Sequence, residues 1–188
     1  MRRVLVNKKP SVYGVGINDV PRALQCPKIT SLWKGMLKRA YSKSYKDRNP
    51  TYKDCIVCED WYTYSGFASW VQNKQYLGME LDKDILVPNN KVYCPEFCIL
   101  VPHVVNTFIN DRSKNGMLAG VSWCKQTEKY TARVSNPFSG VREHLGRSDN
   151  QELLHKKWKR RKYELSLILA EKFSLSEEIS KAISARYK

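Results

Sequence analysis

Apolar positions along this chain recur at helical spacing in some stretches and alternate in others. Over Thr30–Tyr41, the residues Leu32, Trp33, Met36, Leu37 and Ala40 fall on one helical face. Lys34, Lys38 and Arg39 lie opposite, and Thr30 or Ser31 can cap the start. A polar stretch at 42–54 interleaves Lys43, Lys46, Arg48 and Lys53 with Tyr45 and Tyr52 and reads as a surface loop. Phe67, Trp70 and Val71 predict a second helix with those three residues inward. From Glu80 to Leu86 acidic and apolar residues alternate as in a strand. The chain then turns at Pro88-Asn89-Asn90, resumes at Lys91-Val92-Tyr93, breaks at Pro95 and runs apolar again through Cys98–Val101. Pro102 can open a helix that carries His103 and Asn106 and runs on to Ile109.

A polar run ending at Gly116 predicts a boundary, giving modules over 1–115 and 116–188. In the second module Gly120–Lys125, Lys129–Ser135 and Val141–Gly146 read as three short antiparallel strands, the last two joined by the turn Asn136–Gly140. Asp149 or Asn150 can cap a long helix with an apolar stripe of Leu153, Leu154, Trp158, Leu165 and Ile168. A last helix is capped by Ser174 or Ser176 and carries Leu175, Ile179, Ala182 and Ile183. The fold class predicted is α+β, with a three-stranded antiparallel sheet packed on a helix at its C-terminal end. Near the start, Tyr13-Gly14-Val15-Gly16 reads as a tight turn; no further phosphate-loop residues follow.

Composition narrows the function. The chain has 188 residues with 42% hydrophobic positions, enough for one compact domain or two small ones. Thirty-three Lys and Arg oppose 18 Asp and Glu, a formal charge of +15, which favours a polyanionic partner. Double-stranded DNA is the first candidate; RNA or ribosome binding rests on charge alone. No stretch approaches the roughly 20 apolar residues of a membrane span. The apolar run within Met1–Lys8 is too short for a signal peptide, so a cytoplasmic protein is expected, with its six cysteines reduced or metal-bound.

Two groups of residues carry candidate chemistry. Asp82, Asp84, Asn90, His103 and Asn106 cluster around the hairpin and the helix after it, and Asp and Asn supply the oxygen ligands that Mg²⁺ or Mn²⁺ prefers. Cys55-x₂-Cys58 and Cys94-x₃-Cys98 have the outline of a structural Zn²⁺ site, although four small core thiols fit the same pattern. Around them the sequence offers basic runs, densest at His155–Lys162, where Lys156, Lys157, Arg160 and Arg161 suit phosphate contacts.

The order Leu81-Asp82-Lys83-Asp84, then Asn89-Asn90-Lys91, then Cys98–Pro102, then Asn106 resembles the HNH (ββα-metal) homing-type endonucleases of phages. The Val57-Cys58-Glu59 and Phe67–Trp70 segments ahead of it add to the likeness. The resemblance implies an HNH-like module with Asp82 as the strand ligand of Mg²⁺ or Mn²⁺, Asn90 as the hairpin asparagine and Asn106 as the helix ligand. The general-base position falls on Lys83, where the family carries His; a protonated Lys cannot accept a proton from water, leaving Asp84 or His103 to replace it. The phrase Gly120-Val121-Ser122-Trp123, then Lys129-Tyr130-Thr131-Ala132, then Leu145-Gly146, then a helix is similar to the APETALA2-type DNA-binding domain, which phage endonucleases also carry as an appended module. That likeness implies a sheet lying in the major groove, with Trp123, Lys125, Arg133, Arg142 and His144 toward DNA; Lys129 is a further candidate DNA contact.

Together these expectations describe a phage-encoded DNA endonuclease, monomeric or homodimeric, acting in the bacterial host by metal-dependent phosphodiester hydrolysis. The rival is a non-catalytic DNA-binding protein on a degenerate HNH scaffold, a regulator or host-interaction factor, and Lys83 is its best argument.

Overall fold

The computed structural model describes residues 9–111, 113 and 116–188. The expected boundary at residue 115 and the N-terminal run over 1–8 lie outside the described residues. The fold is α+β, with six α-helices and small sheets among the described residues. The chain divides into two compact units, Met1–Pro102 and His103–Lys188.

The first unit is built on α1 (Pro27–Tyr41). It starts earlier than the capping residues suggest, because Pro27 takes the first helical position, where a missing N–H costs nothing. Ile29, Trp33, Met36, Leu37 and Ala40 are buried along one face. Trp33 donates its ring N–H to the Trp61 carbonyl at 2.8 Å, which lets a large ring be buried without an unpaired donor. Gly16 presses on this helix: an ideal Cβ there would meet Leu37 at 2.5 Å. Gly14, at φ 79, makes the turn before it. The predicted loop at 42–54 is instead α2 (Lys43–Arg48) followed by a 3-10 turn at Pro50–Tyr52. Tyr45 and Tyr52 pack edge-on at 5.6 Å, and this apolar contact organises a segment whose charge pattern suggested solvent. Next, β1 (Ile56–Val57) leads to α3 (Tyr64–Val71), capped by Thr63. Phe67 and Val71 are buried as expected; Trp70 is only half-buried, lying 4.8 Å from Trp61.

The hairpin differs from its prediction. The strand β2 spans Met79–Asp82 and stops there, because the Asp82 carboxylate accepts from the backbone N–H groups of Asp84 and Ile85, both at 2.7 Å, and so folds the chain into a turn. The short β3 (Val92–Tyr93) pairs in parallel with β1, not with β2. The antiparallel partner of β2 is β4 (Ile99–Pro102), in register Asp82 opposite Ile99 and Met79 opposite Pro102, so a long loop separates the two strands.

The second unit starts with α4 (His103–Phe108) at the residue after β4. Its sheet is β5 (Val121–Cys124), β6 (Lys129–Ser135) and β7 (Arg142–Ser148), antiparallel in that order. Helix α5 (Gln151–Lys172), capped by Asn150, crosses one face of the sheet and buries Leu154 against Val121 and Ala132. The buried stripe is Leu154, Trp158, Lys162, Leu165 and Leu169. Leu153 and Ile168, expected in it, are 48% and 45% exposed, being one position off that face. Helix α6 (Glu177–Ala185), capped by Ser176, packs back on α5. Lys162 is buried because it shares the stripe: its ammonium donates to the Phe108 carbonyl and pairs with Asp111 at 2.9 Å, while Tyr187 donates to the other Asp111 oxygen at 2.7 Å.

Candidate nucleic-acid interface

Strand alternation sorts the side chains of the three-stranded sheet onto two faces. Ala132 and Val134 of β6 are buried on the α5 side, so Thr131, Arg133 and Ser135 point to the other side. Residues directly opposite each other share a face. Thr131 opposes Arg147 and Ser122, Arg133 opposes His144, Ser135 opposes Arg142, and Lys129 opposes Cys124. The outer face therefore collects Lys129, Arg133, Arg142, His144 and Arg147. Glu143 is one residue out of phase and faces α5. Lys129 reaches Asp149 at 3.8 Å in an exposed pair; among the described residues, Arg133, Arg142 and Arg147 have no carboxylate partner. At the centre Thr131 is 2% exposed, and its hydroxyl has no hydrogen-bond partner among the described residues. A concentrated positive potential on an exposed face suits an anionic ligand.

Arg147 was missed by sequence reading, for a specific reason. Counting by two from Arg142 places Arg147 on the inner face. The register slips between Ala132 and Arg133, where the β7 partner changes from Gly146 to His144, leaving Leu145 as the extra residue. That bulge turns Arg147 outward. The signal available was Gly146 itself, whose φ of 125 favours glycine and whose place inside a strand marks a bulge.

The other expected DNA contacts are placed differently. Trp123 opposes Tyr130 on the α5 side of the sheet, their rings 4.9 Å apart and edge-on, with Trp123 45% exposed. Lys125 is exposed in the turn after β5. Lys156, Lys157 and Arg160 are exposed on α5, which lies on the opposite side of the sheet from Arg133 and Arg142. Arg161 is engaged internally. It donates to both oxygens of Glu143, at 2.7 and 3.0 Å, and to Glu164 at 2.9 Å. The Arg161 hydrogen bonds, with one from Asn136, hold the Glu143 carboxyl down at about 2.

In the first unit the expected catalytic residues surround the loop after β2. Asn90 fastens the loop by donating to the carbonyls of Lys83 at 2.9 Å and Val92 at 2.7 Å, and by accepting from the Val92 N–H at 2.9 Å. Lys83 is 5% exposed. Its ammonium donates to both oxygens of Asp84 at 2.7 Å and to the Asn90 carbonyl, beneath the rings of Tyr52 and Tyr93. Lys83 and Asp84 thus neutralise each other, and one oxygen of Asp82 already accepts two backbone N–H groups. Lys83 is a clamp on the loop and has no lone pair to offer as a base while it donates three hydrogen bonds. His103 and Asn106 both lie on α4 in the second unit; Thr107 and His103 are linked side chain to side chain at 3.3 Å.

The thiols of Cys55, Cys94 and Cys98 are buried and that of Cys58 half-buried, all four unbridged. Burial pushes all four up, Cys98 to about 12. Among the described residues no three His, Cys, Asp or Glu side chains form a group that could hold a metal ion. No described helix is long and apolar enough to cross a membrane. The chain matches no protein-family model, no curated protein and no solved structure.

Proposed function

We propose that this chain is a DNA-binding protein that holds duplex DNA on the outer face of the β5–β7 sheet. The observation that carries this reading is the set Arg133, Arg142 and Arg147 on one face of a twisted sheet, without carboxylate partners among the described residues. A three-stranded antiparallel sheet can enter a major groove, and guanidinium forks there meet guanine edges or phosphates. The resemblance of the Gly120–Gly146 segment to APETALA2-type domains implies DNA contacts by Arg133, Arg142 and His144, which share this face, and by Trp123, which lies on the α5 side. The test is a titration of the full chain with labelled duplex DNA: the parent binds, and the triple change of Arg133, Arg142 and Arg147 to Gln weakens binding at least tenfold. Equal affinity of parent and variant contradicts the reading.

A second reading, metal-dependent phosphodiester hydrolysis on an HNH scaffold, is favoured by one feature. The chain runs strand, Asn-fastened loop, strand, helix, the order of the ββα-metal motif, with Asp82 at the end of the first strand and Asn106 on the helix. On this reading Asp82 would supply a carboxylate to Mg²⁺ or Mn²⁺, an ion that stabilises the developing charge on phosphate and the leaving oxygen. Against hydrolysis stands Lys83 at the base position, fully engaged as a donor. Incubation with supercoiled plasmid and either ion separates the two readings: the DNA-binding protein leaves the plasmid intact, whereas nicking that disappears in Asp82→Ala identifies the nuclease.

A further inference from the structure

The second unit contains a cleft of about 460 Å³ lined by Val134 and Trp158 from the α5 side of the sheet and by Arg133 and Arg142 from its outer face. Its inner wall is apolar and buried: Phe108 and Trp158, each 6% exposed, and Val134, 3% exposed. Its exposed rim carries Arg133, Arg142 and His103, with the small polar side chains Thr107 and Asn110 on α4 and just after it. Asp111 also lines the cleft, but its charge is answered by Lys162 at 2.9 Å and its second oxygen by Tyr187. The cleft is therefore cationic at the mouth and aromatic inside. The aromatic wall is fixed in place: the backbone of Gly120 lies so close to Trp158 that an ideal Cβ would meet the ring at 2.1 Å. The Lys162 ammonium, 3.6 Å from the Phe108 ring centroid, packs behind that wall with its charge answered by Asp111.

We propose that this cleft takes one unstacked nucleotide of the bound nucleic acid. Its base lies against Val134, Phe108 and Trp158, its polar edge meets Thr107 or Asn110, and its phosphate sits at Arg133 and Arg142. The proposal rests on the nucleic-acid reading above and deepens it, naming an extrahelical or single-stranded nucleotide as the preferred feature of the substrate. Three observations join to support it. The volume lies within the range of small-ligand sites and is several times that of a phosphate ion, so the two arginines alone do not account for it. The wall offers apolar surface, Val134 and the accessible margins of Phe108 and Trp158, against which a base packs regardless of identity. Arg133 and Arg142 belong both to the cleft and to the sheet face, so a strand lying on the face delivers a nucleotide directly to the opening. Proteins that accept such a nucleotide expend unstacking energy least at a bulge or mismatch, which makes those duplexes the discriminating probes.

The experiment has two arms on the full-length chain. In the first, ¹H–¹⁵N spectra are followed during titration with dAMP, dGMP, dCMP or TMP, and separately with inorganic phosphate. The nucleotides are expected to shift Thr107, Asn110 and Val134, and phosphate only the side chains of Arg133 and Arg142. Thr107→Trp fills the opening from an exposed helical position and is expected to weaken nucleotide binding at least tenfold, while Thr107→Ser retains it. In the second arm, the parent binds a duplex with one extrahelical base more tightly than the fully paired duplex. Thr107→Trp loses that preference and keeps its affinity for the paired duplex. No nucleotide response, the same response to phosphate alone, or an undiminished response in Thr107→Trp overturns the proposal. Equal binding of both duplexes without a nucleotide response sinks the cleft and leaves the DNA-binding reading standing. Nucleotide binding in the cleft without any duplex binding does the reverse.

Discussion

Arg161 on α5 and Glu143 on β7 form a two-point ion pair, Nε to Oε2 at 2.7 Å and Nη2 to Oε1 at 3.0 Å, that ties the helix to the edge strand of the sheet. The pair explains why one strand can hold an acid among cations. Glu143 points to the helix side, and its neighbours Arg142 and His144 point outward. Arg161→Gln is expected to destabilise the second unit by about 1.5–3 kcal/mol, the range for a hydrogen bond to a charged group. DNA affinity per folded molecule should stay unchanged. Denaturant unfolding beside a DNA titration checks this; a large loss of affinity with unchanged stability would assign Arg161 to the DNA surface instead.

The same pair sets an acid limit on stability. The Glu143 carboxyl is held at about 2 in the folded chain, below its unfolded value near 4.3. A carboxylate with a depressed folded value contributes stability above the unfolded value and loses it as pH falls through the folded one. The contribution of this pair is thus full above about pH 4.5 and falls away toward pH 2. Glu143→Gln should flatten the fall in thermal midpoint between those values relative to the parent. Parallel curves for the two proteins would mean that the pair adds nothing.

The loop between β2 and β4 is fastened by the Asn90 side chain. Asn90→Ala removes three hydrogen bonds and leaves the carbonyls of Lys83 and Val92 to find other donors. A loss of about 2–4 kcal/mol is expected, each bond contributing about 1 kcal/mol with a further penalty for groups left unpaired. Lys83→His, which installs the residue the HNH family carries at this position, should also lower stability and produce no nicking, because it breaks the Lys83–Asp84 pair. Urea midpoints and a plasmid assay on both variants report the result. A stable, nicking Lys83→His protein would show that the position is a vacant base site rather than a clamp.

Much of the second unit was legible in the sequence, because alternation, turn residues and caps agree: Asn136–Gly140 closes β6 and β7, and Asn150 and Ser176 cap the helices as expected. The first unit was less legible where tertiary contacts overrode local pattern. Charge counting predicted a loop at 42–54, but tyrosine packing made a helix of part of it. Alternation carried the strand past Asp82, but that side chain turned the chain. Lys162 looked like one more cation of a basic run. Its place four residues after Trp158 and three before Leu165, on the apolar stripe, was the signal that it is buried. Arg147 required placing the bulge, for which Gly146 inside the strand was the one sequence signal.

The central claim, that DNA lies on the outer sheet face rather than along the basic helix, is tested most directly by the salt dependence of duplex binding. Two triple variants are compared with the parent: Arg133, Arg142 and Arg147 to Gln on the sheet, and Lys156, Lys157 and Arg160 to Gln on α5. Each lost phosphate contact lowers the slope of log affinity against log salt by about one unit. The sheet variant is expected to flatten the slope by about 2–3 units and the helix variant to leave it near that of the parent. A parent-like slope in the sheet variant, with the loss confined to the helix variant, would contradict the account.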